Sequence, residues 1–148
     1  MNTASPENPA PRGLNCRACM AYADGDMVKH SRRLQELLGP AFGRYAGRFK
    51  SFMTTFGGYP QFRALLDFFA EASCAGCRSG ECRFPGCRVL ECCRARGVDF
   101  CFQCGEFPCE RTVFDPDPKD RWIAMNVRMK EIGAEAYLLE TKDLCRYR

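Results

Sequence analysis

The sequence lacks the features that mark membrane, secreted and common catalytic proteins. No apolar run approaches the length of about 18 residues that a transmembrane helix needs. Residues 1–13 have neither a basic stretch nor an apolar core, so we expect no signal peptide and a reducing compartment, the cytoplasm. A nucleotide-binding loop, a hydrolase nucleophile elbow and a carboxylate dyad are all missing, which favours a non-enzymatic protein.

Histidine is also scarce. His30 is the single histidine among 148 residues, and it lies among basic neighbours. We expect it on the surface; the alternative is that it completes a metal site beside three cysteines. Hydrophobic residues make up 46% and charged residues 27% of the chain, which indicates a globular protein. We assign residues 1–13, with three of the nine prolines, to a flexible lead-in, and 14–148 to a single cysteine-rich domain.

Cysteine, by contrast, is abundant and clustered. Nine of the 12 cysteines lie in residues 74–109, a segment with few large apolar side chains. Such a segment needs a covalent or metal staple, and a reducing compartment favours metal. Sites of four thiolates suit Zn²⁺ and leave no open coordination position, so they stabilise folds and do not catalyse. The alternative is a [4Fe–4S] cluster, although the bacterial C-x2-C-x2-C-x3-C-P run is absent.

Helical periodicity predicts the rest of the fold. Residues 27–72 contain no cysteine and divide into three helices separated by glycine-containing breaks. A short helix is expected over 88–96, and a long one over 119–144 that Gly133 kinks or splits. The predicted fold class is mainly α and small, with helical segments around a loop-rich, metal-stapled module at 74–109 and little sheet.

The partner cannot be named from composition. The aromatic side chains of residues 42–69 follow helical spacing and are expected to pack in the core; the alternative is an exposed groove for a partner or an apolar ligand. The net charge is +4, but each four-cysteine zinc site adds about −2. Two such sites would cancel the basicity, so the charge does not support nucleic-acid binding. A protein partner stays open, and no membrane association is expected.

Several motifs resemble those of the DUF3795 family. Residues 13–22, GLNCRACMAY, are similar to the family's opening CGL-x-C-x2-C-x-AY, and CAGC, CRVLEC and CFQCGEFPCE resemble its later signature. The KEIGAE stretch of the final helix is similar as well. The resemblance implies zinc bound through cysteines and implies nothing about biological role. The positions that match the family's cysteines are Cys16, Cys19, Cys74, Cys77, Cys87, Cys92, Cys101, Cys104 and Cys109.

One family cysteine has no counterpart, because Arg12 stands in its place. Either that cysteine is not a ligand in the family, or one of the chain's other cysteines substitutes for it. The residues that could do so are Cys82, Cys93 and Cys145. We therefore keep Cys82 and Cys93 as further candidate ligands.

Spacing suggests which thiolates share an ion. We predict one site from Cys74, Cys77, Cys87 and Cys92, and a second from Cys101, Cys104 and Cys109 completed by Cys16 or Cys19. In the competing arrangement, Cys16 and Cys19 are equal ligands in a site with two central cysteines. Both arrangements make the protein a metal-stapled scaffold or interaction module. A redox or metal-handling enzyme that uses a spare thiol is a further alternative.

Overall fold

The computed structural model describes residues 9–80, 84 and 86–147, and within them the chain is mainly helical, as predicted. Helices cover 59% of the described residues, which contain no strand; one isolated bridge pairs Tyr22 with Cys74. In this described part, no helix is long and apolar enough to cross a membrane. The α-helices are α1 (Asp26–Leu38), α2 (Phe42–Phe49), α3 (Tyr59–Ala70), α4 (Val89–Arg96), α5 (Pro116–Ile132) and α6 (Ala134–Thr141). Short 3₁₀ turns lie at Cys16–Ala18, Thr54–Gly58, Cys101–Gln103 and Glu110–Thr112.

Helices α1 to α3 form a helical arm, residues 26–70. The Arg32 Nε donates a hydrogen bond of 2.9 Å to the carbonyl of Ala70, and Gln35 Nε2 donates one of 2.6 Å to Asp67 Oδ1. Arg32 precedes Gln35 in α1, whereas its partner Ala70 follows Asp67 in α3. The two helices therefore run antiparallel. The three-helix interpretation of residues 27–72 is therefore confirmed.

Helix α2 ends at Phe49, short of the predicted end near residue 55. The Ser51 hydroxyl donates to the Arg48 carbonyl at 2.8 Å, and the Met53 N–H turns back to the Phe49 carbonyl at 2.7 Å. A serine side chain that bonds a nearby carbonyl competes with the helical backbone pattern. The chain therefore leaves the helix here and enters the next 3₁₀ turn.

The aromatic side chains of the arm are partly packed and partly exposed. The rings of Phe42, Phe49 and Phe56 contact one another with centroids 5.2 to 6.5 Å apart, but all three are only half-buried, so they pack together without forming the buried core that we expected. Tyr45 and Phe52 are instead 52% and 70% exposed. Part of this aromatic surface is therefore open to solvent.

Gly133 splits the predicted C-terminal helix into α5 and α6. Its φ of +84° lies in the left-handed region that favours glycine, and its N–H closes α5 on the Met129 carbonyl at 2.9 Å. The chain then folds back, so that Tyr137 of α6 packs in one buried cluster with Met129 of α5 and Phe100. This cluster joins the C-terminal helices to the cysteine-rich module.

Residues 9–13 are packed into the fold, which corrects the prediction that they belong to a flexible lead-in; residues 1–8 lie outside the described residues. Ala10 is buried, and the Pro11 carbonyl accepts a hydrogen bond of 3.2 Å from the Cys101 N–H. Proline has no N–H but keeps its carbonyl acceptor and fixes its own φ. A proline-containing segment can therefore pack as an ordered strap against the module.

Asn126 of α5 holds this strap in place. The side chain is fully buried, and its Oδ1 accepts from the Phe102 N–H at 3.1 Å. Its Nδ2 donates to the carbonyls of Arg12 at 2.9 Å and Trp122 at 3.0 Å. One amide thus connects the strap, the cysteine-rich module and α5.

Substituting Gly13 by alanine is expected to destabilise the protein by about 2–4 kcal/mol. Gly13 has a φ of +100°, and an added Cβ would lie 2.9 Å from Met125 Cβ and 3.0 Å from Met129 Cε. Urea denaturation of Gly13→Ala measures the loss. The matched control is Gly47→Ala in α2, where a Cβ meets nothing within 4 Å and helix propensity predicts a gain of up to about 1 kcal/mol. Equal midpoints for the two variants would contradict the tight packing at Gly13.

Candidate metal centre

Four cysteines from two distant segments meet beside the first 3₁₀ turn, and we call Cys16, Cys19, Cys74 and Cys77 cluster A. Cys16 and Cys19 lie at the two ends of that turn, where the Cys19 N–H donates to the Cys16 carbonyl at 2.9 Å. The bridge between Tyr22 and Cys74 fixes the second segment alongside the first. The Cys77 N–H then donates to the Cys16 sulfur at 3.5 Å, and Cys19 and Cys77 pack against buried Cys16 and Tyr22.

Cluster A favours negative charge on sulfur. Hydrogen bonds with Cys77 are the main cause that lowers the pKa of Cys16 to about 6; burial acts in the opposite direction, and Arg146 and Arg12 add positive charge. The Cys74 sulfur accepts a hydrogen bond of 3.4 Å from the Gly76 N–H. Metal ions bind the thiolate form of cysteine. The local groups of cluster A therefore favour the ionised state that a metal ligand requires.

Five further cysteines line one small cavity, of about 30 Å³, between α4, the third 3₁₀ turn and α5. We call Cys92, Cys93, Cys101, Cys104 and Cys109 cluster B. The C-x2-C pair of this cluster repeats the local structure of the first one: Cys101 and Cys104 lie at the two ends of a 3₁₀ turn, with the Cys104 N–H donating to the Cys101 carbonyl at 3.0 Å. The C-x2-C spacing thus specifies the same turn twice.

Two residues that line the cavity of cluster B carry buried hydrogen-bond donors. Trp122 is 1% exposed and Thr112 is 5% exposed. Within the described part of the chain, neither the indole Nε1–H nor the threonine hydroxyl makes a hydrogen bond of normal geometry, although the indole lies close enough to the Cys101 thiol to lower its pKa. A buried donor left unpaired costs about 1–3 kcal/mol. A stronger acceptor at this place, such as a metal-bound thiolate, would satisfy both donors.

The thiols of cluster B are electrostatically unequal. The sulfurs of Cys93 and Cys101 are 4.0 Å apart, too far for a disulfide and close to the edge of about 3.8 Å in a tetrahedral zinc–thiolate site. The contact with Cys101 raises the pKa of Cys93; the same contact lowers the pKa of Cys101, and the Trp122 N–H adds to that effect. Burial, followed by the charges of Cys109 and Cys101, raises the pKa of Cys92. The environment thus favours a proton on Cys93 over one on Cys101.

Positive side chains surround the same cavity. Arg96 and Arg111 both line it and both pair with Glu106, at 2.7 and 3.2 Å. A centre of four thiolates and one divalent ion carries a net charge of about −2. The two guanidinium groups offset part of that charge at the mouth of the site.

The geometry groups the candidate residues differently from the predicted pairing. Cys74 and Cys77 lie beside Cys16, whereas Cys92 lies in the cavity of cluster B. The structure therefore favours the competing arrangement, with the N-terminal pair beside two central cysteines. The reason is tertiary: the Tyr22–Cys74 bridge brings two distant segments together, which spacing along the chain does not reveal.

The other described candidates, Cys87, Cys145 and His30, belong to neither cluster. Cys87 is half-buried beside a second cavity of about 310 Å³ that Cys77 also lines. Cys145 is exposed, His30 is exposed as expected, and Cys82 lies outside the described residues. No disulfide links any two of the eleven described cysteines.

Neither cluster is fully assembled for coordination. Among the described residues, no three His, Cys, Asp or Glu side chains are arranged so that they already converge on one ion. The backbone nevertheless brings the thiols together, and the cysteine side chain can change rotamer by rotation about a single bond. Closure on an ion would thus need rotation of thiols rather than a different fold.

The sequence does not single out Trp122 and Thr112, which line the cavity of cluster B, or Asn126, which holds the strap. Trp122 is only one apolar position of the helix predicted over 119–144. The available signal was weak, since a lone tryptophan and a mid-helix asparagine are ordinary on any helix. Their roles appear only when α5 is placed against the cysteine-rich module.

Comparison with known proteins gives one match. A family model described as "Protein of unknown function (DUF3795)" matches residues 9–113, more than half of the chain. No curated protein and no solved structure matches the chain. The matched range contains both clusters and ends before α5.

Proposed function

We propose a structural metal-binding role for this chain, which belongs to the DUF3795 family of proteins of unknown function. Two zinc ions, one in cluster A and one in cluster B, would staple a cysteine-rich scaffold that presents an interaction surface. When bound, each ion supplies a closed tetrahedral centre that stabilises the fold and does not react.

The cavity of cluster B is the observation that carries this proposal. It holds five thiols around about 30 Å³, with the unpaired donors of Trp122 and Thr112 on its wall. Metal-bound thiolates are hydrogen-bond acceptors, and donors around a site orient its ligands and tune its metal. A thiolate–metal centre would therefore give the Thr112 hydroxyl an acceptor, and it would strengthen the contact that the Trp122 Nε1–H already makes with the Cys101 sulfur.

The size of the cavity favours one ion over an iron–sulfur cluster. Its volume of about 30 Å³ is roughly twice the space that one water molecule needs in a cavity. A single Zn²⁺ fits such a space. A [4Fe–4S] core contains eight atoms and would need the walls of the cavity, including buried Trp122, to move apart. A [4Fe–4S] cluster remains the second candidate only because its ligands are also thiolates.

Four of the five thiols of cluster B would hold the ion, and we assign them as Cys92, Cys101, Cys104 and Cys109. The charges of Cys109 and Cys101 both act on Cys92, so these three thiols lie close to one another. Cys93 would remain a thiol that donates to Cys101 from outside the coordination shell. In cluster A, the ligands would be Cys16, Cys19, Cys74 and Cys77. Cys87 would be a ligand of neither ion.

The two ions would act on different parts of the fold. Cluster A would fasten the N-terminal turn to the start of the module, and cluster B would fasten α4 to the turn at Cys101. Cysteines that hold metal instead of forming disulfides suit a reducing compartment, so we place the protein in the cytoplasm. The residues outside the clusters would carry the interaction surface.

Replacing adjacent cysteines on α4 tests the ligand assignment. Native mass spectrometry should find one ion per chain in Cys92→Ser and two in Cys93→Ala, because only Cys92 is a proposed ligand. Cys16→Ser should also retain one ion, in cluster B. The two α4 variants differ by one position on the same helix and therefore control for general damage to α4.

Other numbers of bound ions would contradict the proposal in different ways. Loss of an ion in Cys93→Ala together with retention of both in Cys92→Ser would contradict the choice of fourth ligand. Two ions in every variant would show that neither cluster is a metal site.

A further inference from the structure

The helical arm contains a long segment without acidic residues. Residues 37–66 include Arg44, Arg48, Lys50 and Arg63 but no aspartate or glutamate. The same segment has no cysteine, so metal bound elsewhere cannot neutralise it. Four-cysteine zinc sites would cancel the net positive charge of the whole chain, but they would not lie on this surface, which therefore stays positive.

Helix α2 arranges these charges on one exposed side. Arg44 and Arg48 are exposed and one turn apart, about 6 Å along the helix axis. Gly43 and Gly47 precede them; an added Cβ at Gly43 would lie 3.6 Å from the Tyr59 ring, whereas at Gly47 it would meet nothing within 4 Å. The helix surface beside Arg48 is therefore bare, and an extended backbone can approach it closely.

Exposed aromatic rings continue the same surface. Tyr45 is 52% exposed and Phe52 is 70% exposed, and both contact the half-buried ring of Phe49, with centroids 6.3 and 5.9 Å away. Three rings thus form a row whose two ends face solvent. A contiguous group of exposed apolar side chains is a feature of binding surfaces, whereas single exposed side chains are ordinary.

We propose that Arg44, Tyr45, Arg48, Lys50 and Phe52, the basic aromatic face, bind single-stranded nucleic acid. Phosphates would lie on the guanidinium and ammonium groups, and unpaired bases would stack on the two exposed rings. This pairing of a positive surface with stacking rings characterises proteins that bind single strands without sequence preference. A duplex would present phosphates but no free base faces to the rings.

The positive charge and the exposed rings of the basic aromatic face together favour single-stranded nucleic acid over other binding partners. A second copy of the chain would bring like charges together across the interface, which opposes association. An acidic protein segment would match the charge but would not require two solvent-facing rings beside the arginines. Anionic lipid would likewise use the charge, and both occupants enter the test as alternatives.

The test measures anisotropy of labelled oligothymidine of about 16 nucleotides with the zinc-loaded full chain. We expect binding that weakens steeply between about 50 and 200 mM salt, and much weaker binding of a duplex of equal length. Tyr45→Ala and Phe52→Ala should each weaken binding about tenfold without changing the salt dependence. Arg44→Gln combined with Arg48→Gln should reduce the slope of log affinity against log salt by about 1.4.

The control variant also removes two positive charges, but from a different part of the protein surface. Lys130→Gln combined with Lys142→Gln, both exposed on the C-terminal helices, should leave the affinity for oligothymidine unchanged. Equal binding of duplex and single strand, or unchanged binding by the two aromatic variants, would overturn the proposal. So would the absence of binding at low salt, a dimer formed through this face, or affinity for acidic peptides or anionic vesicles alone.

Discussion

Removing metal under reducing conditions should unfold the cysteine-rich module, with the largest loss of stability we expect from any single change. A structural zinc ion contributes on the order of 10 kcal/mol in small modules. That is comparable to the whole stability of a domain, about 5–15 kcal/mol. Residues 74–109 cannot compensate for the loss of the metal, because they contain few large apolar side chains. Of the nine cysteines in this segment, only Cys74 and Cys93 are both described and buried.

Thermal melting and amide hydrogen exchange measure this effect. A strong chelator with a reductant should lower the melting temperature sharply and remove exchange protection in α4 and around the turn at Cys101. The same chelator already saturated with zinc is the control, and added zinc should restore both signals. Unchanged melting and protection after complete metal removal would contradict a stapling role.

Replacing Asn126 by alanine should cost about 2–5 kcal/mol, the second largest effect we expect. The change removes an acceptor from the Phe102 N–H and a donor from the Arg12 carbonyl. Both backbone groups would then lose their protein partner next to a fully buried position. Chemical denaturation of the metal-loaded protein measures the loss, and the matched control is Gln35→Ala.

Gln35 also bonds a side-chain oxygen, that of Asp67, but on the half-exposed surface between α1 and α3. Water can replace its bond, so we expect a cost within about 1 kcal/mol. If Asn126→Ala is no more destabilising than Gln35→Ala, the strap is held by other contacts and the connecting role of Asn126 is wrong.

The helices could be predicted from the sequence because their signals are local. Apolar periodicity located the arm, and Gly97 and Gly133 ended α4 and α5 at the expected places, each with a positive φ. Both features depend only on neighbouring residues. The fold class follows from them, and the structure confirms it.

The grouping of the thiols depended on contacts that no local signal reports. A C-x2-C pair defines half a site, but the choice of its partner depends on which segments pack together. The bridge from Tyr22 to Cys74 and the position of Trp122 over α4 decide it here. The proline-rich start was misjudged for a similar reason: its composition suggested mobility, whereas its carbonyls bond distant residues such as Cys101.

Metal analysis of the full chain purified without oxygen, combined with its visible absorption spectrum, tests the central proposal most directly. We expect two zinc ions per chain, no inorganic sulfide and no visible absorption, because Zn²⁺ has a filled d shell. Iron and sulfide in equal amounts with a broad visible band, or a folded protein without metal, would contradict the proposed pair of four-thiolate zinc sites.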